Sequence, residues 1–185
     1  TFFFIGGHAE GDRLYSIEGL VGSAFQDSLD GDDYRNILSG GGDGDDLRGN
    51  GGDDTLDGGN GNDHLEGGAV DDELRGGAGT DTASFAHYEA SAVTIDLVAG
   101  TAAGAFTGND RLVSIESARG TNTADIFIGD GENNYFHGMS GNDTAYGGGG
   151  KDELIGGGDI ATLHGDAGAD LLGGVEGGDA PEGGT

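Results

Sequence analysis

A nine-residue period constrains this chain more than any other feature. Its plainest copy is residues 58–66, Gly-Gly-Asn-Gly-Asn-Asp-His-Leu-Glu. Gly58, Gly59 and Gly61 permit a tight turn that aims several backbone carbonyls at one point, and Asp63 adds a carboxylate. His64, Leu65 and Glu66 then read as a short strand, with Leu65 facing in and its neighbours facing out. Units start at Gly22, Gly31, Gly40, Gly49, Gly58, Gly67 and Gly76, and again at Gly120, Gly129, Gly138, Gly147, Gly156, Gly165 and Gly174. Position one is Gly in all 14 units, and position six is Asp in 11 of them. The other three carry Asn36, Asn134 and Ala161 at position six. Position eight is Leu in nine units and otherwise Ala83, Phe127, Phe136, Ala145 or Pro181. A turn and a strand in every copy of so short a unit predict a solenoid, not a conventional core.

Charge narrows the function classes. The 185 residues hold 44 Gly and one Pro, and 7 Lys plus Arg against 35 Asp plus Glu leave a net charge of −28. That charge opposes binding to nucleic acid or to anionic lipid. It also opposes compaction by self-repulsion, which divalent cations would relieve. A carbonyl-rich turn beside a carboxylate suits a hard, oxygen-seeking cation, above all calcium. The absence of cysteine excludes disulfides and thiolate metal sites. No apolar run approaches the length of a membrane span. No HExxH, GxSxG or P-loop pattern is present, and the five histidines are scattered, so no enzyme activity is expected. His64, His137 and His164 fall at outward positions of the repeat, and Asp57 and Glu66 read as solvated.

Around the repeats the chain divides as 1–21, 22–84, 85–119, 120–182 and 183–185. Residues 1–21 read as truncated spacer strands, at Phe2 to Ile5 and Leu14 to Glu18. Residues 22–84 and 120–182 are the two repeat blocks, and 183–185 a tail. The spacer 85–119 alternates apolar and polar residues over Val93 to Leu97 and over Arg111 to Glu116, which reads as strands in broader coils of the same solenoid. A longer period overlies the nine. Asp12-Arg13-Leu14 and Ser16-Ile17-Glu18 match Asp110-Arg111-Leu112 and Ser114-Ile115-Glu116 at one common offset. With no initiator Met, this reads as a piece of a longer array.

The G-G-x-G-x-D-x-U-x pattern, clearest at 58–66 and 76–84, resembles the RTX family of hemolysin-type calcium-binding repeats. The resemblance implies an all-β fold, a right-handed parallel β-roll with two nonapeptides per coil. Coils would stack roughly 4.8 Å apart, with several calcium ions between turns 18 residues apart. Each ion would be held by position-six side chains and by carbonyls of positions one to four. The position-six set is Asp27, Asn36, Asp45, Asp54, Asp63, Asp72, Asp81, Asp125, Asn134, Asp143, Asp152, Asp170 and Asp179. The backbone set is Gly40, Gly42, Gly49, Gly51, Gly58, Gly59, Gly61, Gly67, Gly76, Gly77, Gly79, Gly138, Gly141, Gly147, Gly148, Gly150, Gly156, Gly165 and Gly168. Ala161 breaks one column, Asn36 and Asn134 supply a neutral oxygen, and Phe25, Tyr34 and Val70 replace the position-four Gly. The most complete columns are Asp45/Asp63/Asp81, Asp54/Asp72 and Asp152/Asp170.

Burial at about 1.5–3 kcal/mol per Leu or Phe does not offset about 1–2 kcal/mol of backbone entropy per residue in so thin an interior. Cation binding is therefore expected to supply folding energy. The resemblance implies a calcium-dependent structural region of a secreted bacterial protein. It would be exported unfolded by type I secretion and would fold outside the cell, within a surface, adhesive or filament-forming array that associates end to end. The competing reading is the C-terminal folding module of a secreted protease or lipase whose catalytic domain lies outside this chain.

Overall fold

The structure, a computed structural model, describes residues 2–4, 18–86, 91–174 and 180–182. Residues 14–17 of the strand expected at Leu14 to Glu18 and the expected ligand Asp179 lie outside the described residues, as do His8 and His87. The described residues form strands and turns with no helix. They group into two compact units, Thr1–Ser84 with Thr107–Ile115, and Phe85–Phe106 with Glu116–Thr185. The spacer 85–119 is thus shared between the two units.

In the first unit, alternate repeats go to alternate sheets. One sheet runs Phe2–Phe4, Gly19–Val21, Ile37–Gly42, Thr55–Asn60, Glu73–Ala78 and Gly108–Val113, and the other Ser28–Asp30, Asp46–Gly51, His64–Ala69 and Thr82–Ser84. All pairs are parallel, and through the repeats the register joins residue i to i+18: Leu38 pairs with Leu56, and Leu47 with Leu65. Two nonapeptides therefore make one coil. Position eight of every unit points between the sheets, so Leu38, Leu47, Leu56, Leu65 and Leu74 are fully buried. Polar neighbours stand outside, where Arg48 threads an acidic row, 2.6 Å from Asp46, 3.5 Å from Asp30 and 4.0 Å from Glu66. Glu66, expected in solvent, is buried beneath this ladder.

The second unit repeats the plan. One sheet carries Val93–Asp96, Ile126–Ile128, Thr144–Tyr146, Thr162–His164 and Ala180–Glu182, and the other Ser117–Arg119, Tyr135–His137, Glu153–Gly157 and Leu171–Gly174. Phe127 and Phe136 replace the leucine pair and stack across the interior with centroids 4.7 Å apart. Here the spacer departs from a plain coil. Val93–Asp96 pairs antiparallel with Thr101–Gly104. The reversal follows from the turn at 97–100, where Gly100 takes φ +67 and Asp96 accepts the Ala99 amide at 2.8 Å. Leu97, expected to end the strand, lies in that turn. The strand expected at Arg111 to Glu116 is observed instead at Gly108–Val113, because Ser114 turns left-handed at φ +51 and stops it.

Candidate metal centre

Parallel coils bring the position-six carboxylates into columns, and the backbone caps one oxygen of each. The Asp27 amide donates to Asp45 Oδ1 at 2.8 Å, Asp45 to Asp63 at 2.8 Å, and Asp63 to Asp81 at 2.9 Å. The opposite column links Asn36 to Asp54 and Asp54 to Asp72 in the same way. In the second unit the links run Asp125 to Asp143, Asn134 to Asp152 and Asp152 to Asp170. The other oxygen is different. Oδ2 of Asp45, Asp54, Asp63, Asp72, Asp143, Asp152 and Asp170 is buried and has no hydrogen-bond donor. A buried carboxylate oxygen without a partner is costly, and buried polar atoms are normally satisfied.

These oxygens point at the position-one glycines. A Cβ added at Gly40 would collide with Asp45 Oδ2 and stand 2.8 Å from the Gly58 carbonyl oxygen. At Gly49 it would collide with Asp54 Oδ2 and the Gly67 carbonyl; Gly138 and Gly147 repeat this with Asp143/Gly156 and Asp152/Gly165. Gly58, Gly67, Gly76 and Gly165 also lie against their own turn's carboxylate, whereas Gly156 meets the methyl of Ala161. Position one is therefore Gly because the carboxylate occupies the side chain's place. Position four aims a second carbonyl at the next coil: a Cβ added at Gly61, which has φ +127, would collide with the Asp43 carbonyl oxygen. Val70 adopts the same left-handed turn at φ +75 without being Gly. Oxygens of two turns meeting with no proton between them repel, and a cation reverses the sign. Among the described residues no three acidic or imidazole side chains converge, so an ion here would rely on carbonyls as well as carboxylates. That donor set fits calcium, which accepts six to eight oxygens in flexible geometry.

Burial raises these acids. It pushes Asp45 up to about 6, and Asp54, Asp72 and Asp143 up to about 7, partly opposed by the amide each one accepts and reinforced by neighbouring carboxylates. Asp63, Asp125 and Asp152 are raised for the same reason. A groove of about 520 Å³ lined by Asp53, Asp54, Asp71, Asp72 and Arg35 opens beside one column of the first unit.

The two turns that open each block are built differently. Their position-two residues, Ser23, Asp32, Thr121 and Asp130, each accept the amide of position four, at 3.2, 2.9, 3.0 and 2.9 Å. Their own amides donate to the position-six side chains of Asp27, Asn36, Asp125 and Asn134 at 2.5 to 2.8 Å. No residue in these turns is left-handed. Local side chains close them, and the exposed Phe25 and Tyr34 belong to this second turn type. A polar residue at position two together with a non-Gly at position four was the readable signal, since Asn50 and Asp166, followed by Gly52 and Gly168, turn left-handed.

Sequence reasoning also missed Asp110. It is buried, accepts the Asp72 amide at 2.9 Å, and burial pushes it up to about 8. Gly108-Asn109-Asp110-Arg111-Leu112 repeats positions four to eight of Gly61-Asn62-Asp63-His64-Leu65, but outside the nine-residue register.

A family profile for the RTX calcium-binding nonapeptide repeat, in four copies, matches residues 21–56, 48–83, 119–154, 128–161 and 146–180. The chain belongs to the RTX calcium-binding repeat family. RTX repeats bind calcium and build a structural roll, not a catalytic fold. Comparison with curated proteins finds no match. Among the described residues no helix is long and apolar enough to cross a membrane.

Proposed function

We propose that this RTX chain is a calcium-driven structural region of a secreted bacterial protein, ordered outside the cell. The observation that carries the reading is the file of buried, donorless Oδ2 atoms from Asp45 to Asp72 and from Asp143 to Asp170. Ions would lie along these columns, on the position-six carboxylates and the carbonyls of the turns that enclose them. The block-opening turns at Asp27, Asn36, Asp125 and Asn134 serve as caps that close without metal. Extracellular calcium modules bind at about 10⁻⁴–10⁻³ M, so the chain stays unfolded where calcium is scarce, threads a secretion channel, and folds on exit.

The test is circular dichroism of the calcium-stripped chain at about pH 8, where the raised carboxyls are ionised, before and after millimolar calcium. Disorder converting to β-structure supports the proposal, and full β-structure without calcium refutes it. Parallel coils leave hydrogen-bonding strand edges, which favours an array that associates end to end; sedimentation in calcium, with particles growing at high concentration, tests that part. Coding sequence with further modules of this kind supports the array, and an adjoining hydrolase motif supports the folding-module reading instead.

A further inference from the structure

The first unit continues its stack past the last repeat. Gly108–Val113 pairs in parallel with Glu73–Ala78, with Arg111 opposite Glu73 and Leu112 opposite Leu74. This is the step that elsewhere separates residues 18 apart, yet here the partners are 38 apart in sequence. Residues 107–113 lie outside every segment matched by the family profile. The turn nonetheless reproduces the repeat's contacts. The Asp72 amide donates to Asp110 Oδ1 at 2.9 Å, as Asp45 does to Asp63. Gly108 is left-handed at φ +76, and a Cβ on it would stand 2.7 Å from the Val70 carbonyl oxygen, the relation Gly61 bears to Asp43. The Asn109 amide donates to Asp71 at 2.8 Å and holds the two turns in register. Arg111 pairs with Glu73 on the outer face, leaving the inner carboxylates to each other.

We infer that a divalent cation, of the calcium class, binds between the turns ending at Asp72 and Asp110. Asp72 supplies Oδ2, which is buried and has no hydrogen-bond donor; Asp110 supplies the second carboxylate and Val70 a carbonyl. This rests on the calcium reading of the repeats and extends it to a segment that is not a repeat. The ion would pin residues 107–113 onto the first block and so close the chain excursion between them. An excursion of this length adds little closure entropy over one of 18 residues, because the cost grows only logarithmically.

The experiment uses the full chain and Asp110→Asn, which keeps an oxygen for the Asp72 amide but removes the charge. Calcium stoichiometry is measured by equilibrium dialysis, and hydrogen exchange is followed at 107–113 and 40–63. The expected result is one ion fewer, or one site weakened at least about tenfold. Protection at 107–113 should fall while that at 40–63 holds. Unchanged stoichiometry, affinity and protection would overturn the site. Should the variant not fold in calcium, terbium-soaked crystals of the unaltered chain decide. Anomalous density between Asp72 and Asp110 supports the inference, and density at Asp45/Asp63 without any there overturns it. An unaltered chain that binds no calcium anywhere would instead overturn the parent reading.

Discussion

Acidification of the calcium-free chain should fold it, and the reason lies in the columns. Asp54, Asp72 and Asp143 are raised from the ordinary 3.8 to about 7, and Asp110 to about 8, with burial as the leading cause. The folded state therefore binds these protons more tightly than the unfolded state. Metal-free stability is greatest below the unfolded value and is lost as pH rises to the folded values, in a window from about 4 to about 8. A tenfold change in proton affinity corresponds to about 1.4 kcal/mol, so a single carboxyl raised to about 7 loses roughly 4 kcal/mol if unscreened. The turns border solvent, which screens the charge and brings the figure to roughly 2 kcal/mol. Four such groups still approach the ~5–15 kcal/mol that holds an ordinary domain together. Calcium binds the ionised form, so the loaded chain must show the opposite trend. The assay is far-UV circular dichroism of calcium-stripped protein from about pH 5, above the sequence pI of 4.1, to about pH 8. β-signal should fall with rising pH without calcium and rise with pH at limiting calcium. A calcium-free signal that is flat or increases with pH would refute the desolvation argument.

Asp63→Ala removes the acceptor for the buried Asp45 amide as well as an ion ligand. It should cost roughly 1–3 kcal/mol beyond Asp63→Asn, read as thermal midpoints in saturating calcium; equal midpoints would contradict the column geometry. Gly49→Ala drives a methyl into Asp54 Oδ2 and the Gly67 carbonyl and should destabilise by about 1–3 kcal/mol with loss of bound calcium. Gly42→Ala, whose Cβ would meet nothing closer than Ala24 Cα at 3.6 Å, is the tolerated control. Ala161→Asp restores the interrupted column and should raise the number of bound ions in equilibrium dialysis.

Much of this protein is local and was therefore legible early. Gly at position one, Asp at position six and Leu at position eight lie within a few residues of one another. Their spacing marked the turn, a candidate ligand and the buried face, while the parallel stack that joins Leu38 to Leu56 was what the resemblance to the RTX repeats implied. Less legible were features decided by what lies one coil away. Val70 takes a turn meant for Gly because its neighbours above and below hold that shape. Glu66 is buried although its position in the repeat reads as outward, and Arg48 of the adjoining strand lies 4.0 Å from it. Ser114 ends a strand that apolar alternation alone would have continued.

Asp110 shows the division most clearly. Its five-residue context resembles a repeat turn, but a period counted along the chain loses phase when a hairpin intervenes. Only three-dimensional stacking can set a residue 38 positions on in the place that 18 positions fill elsewhere. The sequence by itself determined the repeating unit, its oxygen-rich turns and the apolar ladder, since each is written in adjacent residues. The tertiary structure decided which oxygens stay without donors, which turns close on their own side chains, and which distant segment completes a column. Those outcomes depend on backbone amides arriving from other coils, and no local pattern encodes where these come to rest.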